Sequence, residues 1–243
     1  MKKVFERFPE GHPSHIPLKI GYECGLRLGE VFALCWEDVD FVNKIIKVNR
    51  QVQWMEDCDR NTLDKISKNG TAECGNGYWY FSLPKYNSCR FIEISDSLSS
   101  LLLREKERQF KAKEFYEDCF ALYSAEYPLS LDVMSTRIGI NKISKDIGHN
   151  SVDFVCKRQD GTFISPRTMQ HVSRVIKKDI FSAFDFHSLR HTHASMLAEN
   201  GVEPKYIQTR LGHSDIKVTI NVYEHTTDVM RNRGRAVLNR IFD

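Results

Sequence analysis

Apolar and polar residues alternate along this chain with two periods, one near 3.6 and one near 2, and the switch between them divides it into predicted elements. SHIPLKIGYEC (14–24) has helical spacing, with Ser14 placed to cap it and Gly25 to stop it. RLGEVFALCW begins a second helix directly after that glycine, with Val31, Leu34 and Cys35 on one face. The pattern then changes. KIIKVNRQVQW (44–54), GYWYFSL (77–83) and CRFIEIS (89–95) are rich in β-branched and aromatic residues and read as strands of one small antiparallel sheet. The polar stretch 55–76 reads as an excursion from that sheet.

Helical spacing returns at Asp96 and runs to about Tyr116, predicting a long amphipathic helix with Leu98, Leu101, Leu102 and Phe110 inward. Another helical region is expected over much of 129–147. DFVCKRQDGTFIS alternates and turns on Asp160–Gly161, a hairpin signal, and Ser165–Pro166 opens a helix by the cap-then-proline rule. The remainder reads as helix: 187–199 ended by Gly201, 204–211 begun by Pro204, 214–223, and 228–241. The expectation is a mainly α chain with a three-stranded antiparallel sheet near its front, an α+β class. No repeat or linker divides it, so residues 1–243 are expected to form one domain with a tail helix at 226–243.

With 243 residues, 41% of them hydrophobic, the chain can bury a sizeable core. No run of about 18 apolar residues is present, so no membrane partner is expected, and MKKVFERFPEGHP lacks the apolar segment of a secretory signal. Seven cysteines, an odd number without a CxxC pair, suit reduced thiols in a cytosol. Cys24 and Cys35, in apolar surroundings, read as small buried hydrophobes. The net charge of +3 is small, but its distribution is uneven. Residues 156–179 hold six Lys/Arg against two Asp, and MRNRGRAVLNRIFD holds four Arg against one Asp. Lys157, Arg158, Arg167, Arg174 and Lys177 are therefore candidate contacts to nucleic-acid phosphates, with a solvated helix face as the alternative.

The densest chemistry lies in HSLRHTHASM (187–196) and LGHSDIKVTINVYEH (211–225). His187 and His191, at i and i+4, have the spacing of two zinc ligands on one helix face. No cysteine follows them, and Arg190 would set a permanent cation beside the ion, so no metal is assigned. Capping and surface roles account for His191 and His193, but not for the whole set. Phosphoryl transfer needs cations around the non-bridging oxygens, an in-line nucleophile, and an acid for the leaving oxygen. Arg190 supplies a planar fork for two phosphate oxygens and sits one turn from His187. His213 falls in a turn between helices, and the hydroxyl of Tyr223 can attack phosphorus and hold the ester. As an aromatic core residue Tyr223 has better rivals nearby in Ile216, Val218, Ile220 and Val222.

HSLRHTHASMLAENGVEPKYIQTRLGHSDIKVTINVYEH resembles the C-terminal signature of the tyrosine recombinases, the phage-integrase family: H-x-x-R, then L-G-H, then the nucleophilic tyrosine. CGLRLGEVFALCWEDVDF is similar to the family segment bearing the first catalytic arginine, and LPKYNSCRFIEIS resembles the hairpin bearing the catalytic lysine. The resemblance runs from about residue 7 to 230. It implies the tyrosine-recombinase catalytic-domain fold and a catalytic set of Arg27, Lys85, His187, Arg190, His213 and Tyr223, with Glu30 orienting the site. Lys68 is the rival to Lys85, and Tyr206 the rival nucleophile; His191, His193 and His225 are left peripheral.

The resemblance further implies that Tyr223 attacks a scissile DNA phosphate, forms a 3′-phosphotyrosyl bond and releases a 5′-hydroxyl. Arg27, Arg190 and His213 would stabilise the pentacoordinate phosphorus, His187 would take the tyrosine proton, and Lys85 would protonate the leaving oxygen. The ester conserves the phosphodiester energy, so no cofactor, neither ATP nor metal, is expected. Implied partners are double-stranded DNA attachment sites and a homotetramer on DNA, with a monomer expected for this chain alone, at the nucleoid in the cytoplasm. The family usually carries a helical core-binding DNA domain before the catalytic one, and the residues before Arg27 cannot hold it, so that domain is expected to be absent from this chain. Two other functions fit parts of the pattern: a type IB topoisomerase-like relaxase and a non-catalytic DNA-binding relative. The compact motifs favour the recombinase over the first, and the intact residue set argues against the second.

Overall fold

The computed structural model describes residues 1–56, 77–126, 138–144, 151–217, 219–220 and 228–242. Its first elements are α1 (Lys2–Arg7), α2 (His15–Cys24) and α3 (Leu28–Ala33). Gly25 ends α2 in the left-handed region, as its place in the sequence predicts, at φ 66° and ψ 24°. Ser14 precedes α2, but its side chain makes no cap hydrogen bond. α3 is shorter than expected: Leu34 has left helical geometry, and Cys35 sits in extended backbone beyond it. Both remain buried, so their apolar character is satisfied outside the helix.

Strands β1 (Val39–Asp40), β2 (Ile45–Val48), β3 (Gln51–Glu56), β4 (Gly77–Ser82) and β5 (Arg90–Glu93) follow. They do not form one sheet. β1, β2 and β5 make a three-stranded antiparallel sheet, with Ile46 opposite Ile92 and Val48 opposite Arg90. β3 and β4 belong to a second sheet of order β3-β4-β7-β6, where Trp54 faces Trp79. The single strand expected at 44–54 is thus two strands in two sheets. The break falls at Asn49–Arg50, where Arg50 turns its guanidinium to Glu37 and Asp38, Nη2 lying 2.6 Å from each carboxylate. The excursion expected at 55–76 lies almost wholly outside the described residues.

The long helix α4 (Asp96–Tyr116) has the expected bounds, with the Ser95 hydroxyl accepting from Leu98 N. Phe110, expected inward, is 64% exposed, because the buried stripe of that turn is taken by Glu105 and Gln109. Gln109 accepts a hydrogen bond from Trp36 and donates to the Val155 carbonyl, which makes that stripe polar. β6 (Leu122–Glu126) and β7 (Ile138–Ile143) pair antiparallel, so the helix expected over 129–147 is replaced by a strand at 138–143. Ile138 and Ile140, two residues apart, both pack on the core under the four-stranded sheet, as a half-buried strand allows. The rest of that region lies outside the described residues.

The expected turn at Asp160–Gly161 is present: Lys157 and Phe163 bridge antiparallel, and Asp160 caps the Thr162 N–H. α5 (Thr168–Asp179) begins two residues beyond Pro166. α6 (Phe186–Glu199) and α7 (Pro204–Leu211) match their sequence signals, with Asp185 capping α6 and Gly212 ending α7 at φ 67°. The last described helix is α8 (Asp228–Phe242).

The main core joins α2, α3, α4, α5 and the start of α6 over one face of the three-stranded sheet, through Leu18, Ile20, Phe32, Ile46, Ile92, Leu102, Met169 and Ile176. A second core lies under the four-stranded sheet around Phe81 and Phe154. A third holds α6 to α7 through Ala194, Ala198, Ile207 and Leu211, with Met230 of α8 packed against it. Ile216 and Ile220, core candidates by sequence, are 38% and 44% exposed; Thr219 takes the buried position of that turn instead. No helix among the described residues is long and apolar enough to cross a membrane.

Candidate active site

The first group of site residues is assembled where the α2–α3 turn meets the end of α7. Close approach there requires glycine. A Cβ on Gly25 would lie 2.6 Å from Leu211 Cδ2, and one on Gly212 would lie 2.8 Å from Ser88 Cβ. With both absent, two arginines reach consecutive carbonyls. Arg190, on α6, donates from Nη1 to Gly25 O (2.9 Å) and from Nη2 to Leu211 O (2.6 Å). Arg27, the residue before α3, donates from Nη2 to Gly212 O (2.8 Å). His213 follows directly. These three hydrogen bonds and the two close approaches bring Arg27, Arg190 and His213 together from three parts of the chain.

Glu30 organises the same point. Its carboxylate is fully buried and accepts from Arg27 N (2.9 Å), Arg27 Nη1 (2.8 Å), and Arg90 Nη1 (3.1 Å) and Nη2 (2.8 Å). Burial alone would raise its pKa. The hydrogen bonds and charge of Arg90, with those of Arg27, outweigh burial and hold it below the ordinary carboxylate value. The carboxylate therefore stays ionised and keeps the two guanidinium groups in place.

Arg90 is a site residue that the motif reading did not single out. It uses Nε on Arg210 O (2.7 Å) and Nη1 also on Ser88 O (3.0 Å), so it ties β5 to α3 and α7. A signal was present: Arg90 shares strand parity with Ile92 and Ile94, so it points to the apolar face and must find a buried partner. Ser88, also missed, receives Arg27 Nη1 at 3.3 Å.

The electrostatics of the cluster are those of a site suited to an anion. Burial, then the neighbouring charges of Arg27 and Arg90 against the pull of Glu30, push the Arg190 pKa down to about 9. Burial and the charges of Arg190 and Arg27 push the His213 ring down to about 4. His187, exposed at the start of α6, is also held below its ordinary value, by partial desolvation and by His191 and Arg190. Its ring stands edge-to-face with that of His191, centroids 4.7 Å apart. A phosphate among these groups would relieve all three shifts.

Lys85 is less closely placed. It lies in the short turn Lys85–Asn87 between β4 and β5, exposed, with Nζ 5.2 Å from the centroid of its neighbour Tyr86. Among the described residues its amine has no hydrogen bond to the arginine cluster. Tyr223 and the rival Lys68 lie outside the described residues. The other rival, Tyr206, donates its hydroxyl to Glu93 Oε2 at 2.7 Å. His193 is structural: Arg210 Nε donates to its Nε2 (3.1 Å) and its Nδ1 faces Tyr22 O.

The basic stretch 156–179 is divided among three places. Arg174 and Lys177 line a groove of about 610 Å³ that also contains His187, Asp185 and Gln170. Arg167 instead stacks on Trp54, 4.2 Å from the ring centroid. Lys157 is paired with Asp153 and lies over Phe120; with Arg158 it lines a separate groove beside Arg7 and His171. As for metals, His187 and His191 gain no third ligand among the described residues, and the grouping Cys35, Glu37 and Asp38 has Arg50 in it.

Residues 124–230 match the family described as the phage integrase family. The chain is 27% identical over 247 residues to a tyrosine recombinase XerC-like protein of Caldanaerobacter subterraneus, covering 100% of this chain and 53% of that one. It is 27% identical over 208 residues to the ICEBs1 integrase of Bacillus subtilis, covering 85% of this chain and 43% of that one. The chain thus spans about half the length of the curated relatives it matches. Among solved structures it is similar to a Tn1549 transposon integrase in complex with a circular intermediate DNA, with a TM-score of 0.60, 19% identity, and coverage of 98% and 63%. XerA recombinase gives a TM-score of 0.56 at 17% identity, with coverage of 100% and 61%. The fold is the α+β fold these recombinases share.

Proposed function

We propose that this chain is a tyrosine recombinase of the phage integrase family, one that cuts and rejoins DNA at specific sites through a 3′-phosphotyrosyl intermediate on Tyr223. The observation that carries the reading is the convergence of Arg27 and Arg190 on the consecutive carbonyls of Gly212 and Leu211, directly before His213.

In this reading the scissile phosphate enters the cationic cluster. Arg27 and Arg190 neutralise the non-bridging oxygens, and His213 donates a further hydrogen bond. The Tyr223 oxygen attacks phosphorus, and its proton passes to His187, which partial burial and the neighbouring His191 and Arg190 bias towards the neutral form that can accept it. The bond to the 5′-oxygen breaks, and Lys85 supplies the proton that makes it a free hydroxyl. Attack by a 5′-hydroxyl on the phosphotyrosine reverses these steps and joins a new strand. The charge stabilisation that a metal ion gives in other phosphoryl transfers comes here from arginine. Glu30 holds Arg27 for this task, and Lys85 must swing from Tyr86 to perform its own.

Partners follow from the same reading. Duplex DNA runs along the groove of Arg174 and Lys177 beside His187. Lys157 and Arg158, facing another groove, contact DNA only outside the cleavage point. Recombination requires four active sites, so the working assembly is a homotetramer on two attachment sites, in the cytoplasm at the nucleoid. The whole of residues 1–243 serves as the catalytic domain.

The test is trapping on a nicked suicide DNA substrate. A covalent protein–DNA adduct should form with or without EDTA and disappear in Tyr223→Phe, with DNA binding retained. An adduct persisting in Tyr223→Phe would move the nucleophile, and loss of cleavage in EDTA would require a metal.

A further inference from the structure

Thr219 is fully buried, and its Oγ1 lies 2.9 Å from His213 Nδ1. A hydroxyl proton sealed from water has to find an acceptor. Helical threonines commonly use the carbonyl four residues back. Thr192 and Thr209 do so, with Oγ1 2.9 Å from Ser188 O and 3.0 Å from Lys205 O. Thr219 does not: among the described residues its hydroxyl has His213 Nδ1 as its one partner.

We infer that the Thr219 hydroxyl donates to His213 Nδ1 and so fixes the neutral imidazole with its own proton on Nε2, where it serves as a hydrogen-bond donor to a substrate oxygen. The opposite tautomer would set Nδ1–H against the hydroxyl oxygen and strand the hydroxyl proton in a dry site. Nε2 has no partner among the described residues, and its proton is the one offered to a ligand. The residue is held in place by its backbone as well, His213 N donating to Gln208 O (3.1 Å) and Gln208 Nε2 to His213 O (3.3 Å).

Tautomer control matters because the ring is neutral. An imidazolium would donate from both nitrogens whatever Thr219 did, but burial and the charges of Arg190 and Arg27 keep this ring unprotonated near pH 7. A neutral ring donates from one nitrogen only, and the threonine decides which. The arrangement gives the cluster a third donor without adding a third positive charge. Thr219 is thus a positioning residue acting through His213, four residues before Tyr223. The role in substrate binding rests on the reading of this cluster as a phosphate site; the tautomer itself does not.

The test uses the 243-residue chain with ¹⁵N-labelled histidine. Two-bond ¹H–¹⁵N correlation spectra at pH 7 should show His213 protonated on Nε2. Thr219→Val, close in volume but without the hydroxyl, should give a mixture of tautomers, and Thr219→Ser should restore the Nε2–H form. Cleavage of the suicide substrate should fall about tenfold in Thr219→Val, with DNA affinity unchanged, and recover in Thr219→Ser. A ring protonated on Nδ1 in the native protein, or a Thr219→Val tautomer identical to native, overturns the inference. A shifted tautomer with an unchanged cleavage rate supports the hydroxyl assignment and counts against the phosphate-site reading.

Discussion

Arg27 and Arg190 donate to the carbonyls of neighbouring residues, Arg27 Nη2 to Gly212 O at 2.8 Å and Arg190 Nη2 to Leu211 O at 2.6 Å. Two guanidinium groups anchored this way share one small space at the end of α7, with one fully buried carboxylate, Glu30, bound to Arg27 and Arg90. Each arginine spends part of its fork on protein acceptors and faces the charge of the other. Such a concentration of positive charge favours an anion, and that preference is measurable.

Inorganic phosphate, or vanadate as a mimic of five-coordinate phosphorus, should raise the Tm relative to chloride at equal ionic strength. At a hundred times Kd the stabilisation is about 2.7 kcal/mol. Arg27→Gln and Arg190→Gln should each abolish most of it. A native protein indifferent to both anions would show that the cluster is not an anion site.

Arg90 should matter as much for stability as for chemistry. Arg90→Met leaves Glu30 buried with Arg27 as its remaining ion-pair partner, and breaking a buried pair costs about 3–5 kcal/mol. Arg90→Lys returns the charge without the fork that spans Glu30, Ser88 and Arg210, and should recover only part of the loss. Denaturant melts measure both. A loss under about 1 kcal/mol in Arg90→Met would mean that Arg27 alone satisfies Glu30.

Acid should destabilise the fold earlier than carboxylates alone would. Burial and the charge of Arg210 push His193 from 6.5 down to about 4. The unfolded chain therefore takes up a proton that the folded chain refuses. The stability from this group is complete above pH 6.5 and is lost as the pH falls from there towards 4, at up to about 1.4 kcal/mol per pH unit. His213, less buried, acts in the same direction. In His193→Gln the slope of unfolding free energy between pH 6.5 and 4.5 should flatten by about 1 kcal/mol per unit. An unchanged slope would assign the acid sensitivity elsewhere.

The tail helix α8 presents Val229, Val237, Leu238 and Ile241 at 38–62% exposure, while Met230 packs against the α6–α7 core. Deleting 228–243 should leave binding of single protein molecules to DNA largely intact and abolish cooperative assembly, seen by gel shift and sedimentation. Arg231 and Arg235 are exposed on the same helix and would face DNA or a neighbour. Cooperativity that survives the deletion would exclude the tail from assembly.

Local signals were enough to read most helices and the motif residues from the sequence. Pro204, Gly201 and Gly25 mark helix ends through backbone geometry that needs no distant partner, and the elements they bound are found where expected. Arg190 and His213 stood out by residue type and short spacing, and Arg27 by the resemblance of its segment to that of the recombinases; the fold brings the three together. What only the tertiary structure decided depends on partners far away in the chain. The apolar run 44–54 is one strand by composition, but Arg50 breaks it by pairing with Glu37 and Asp38 and sends its halves to two sheets. Ile138–Ile143 is fixed as a strand by β6 and β4 on either side of it, and those partners lie outside any local window. Arg90, Ser88 and Thr219 joined the site for the same reason: a buried polar group is defined by what it bonds, and Glu30, Arg27 and His213 reach these three only once the chain has folded.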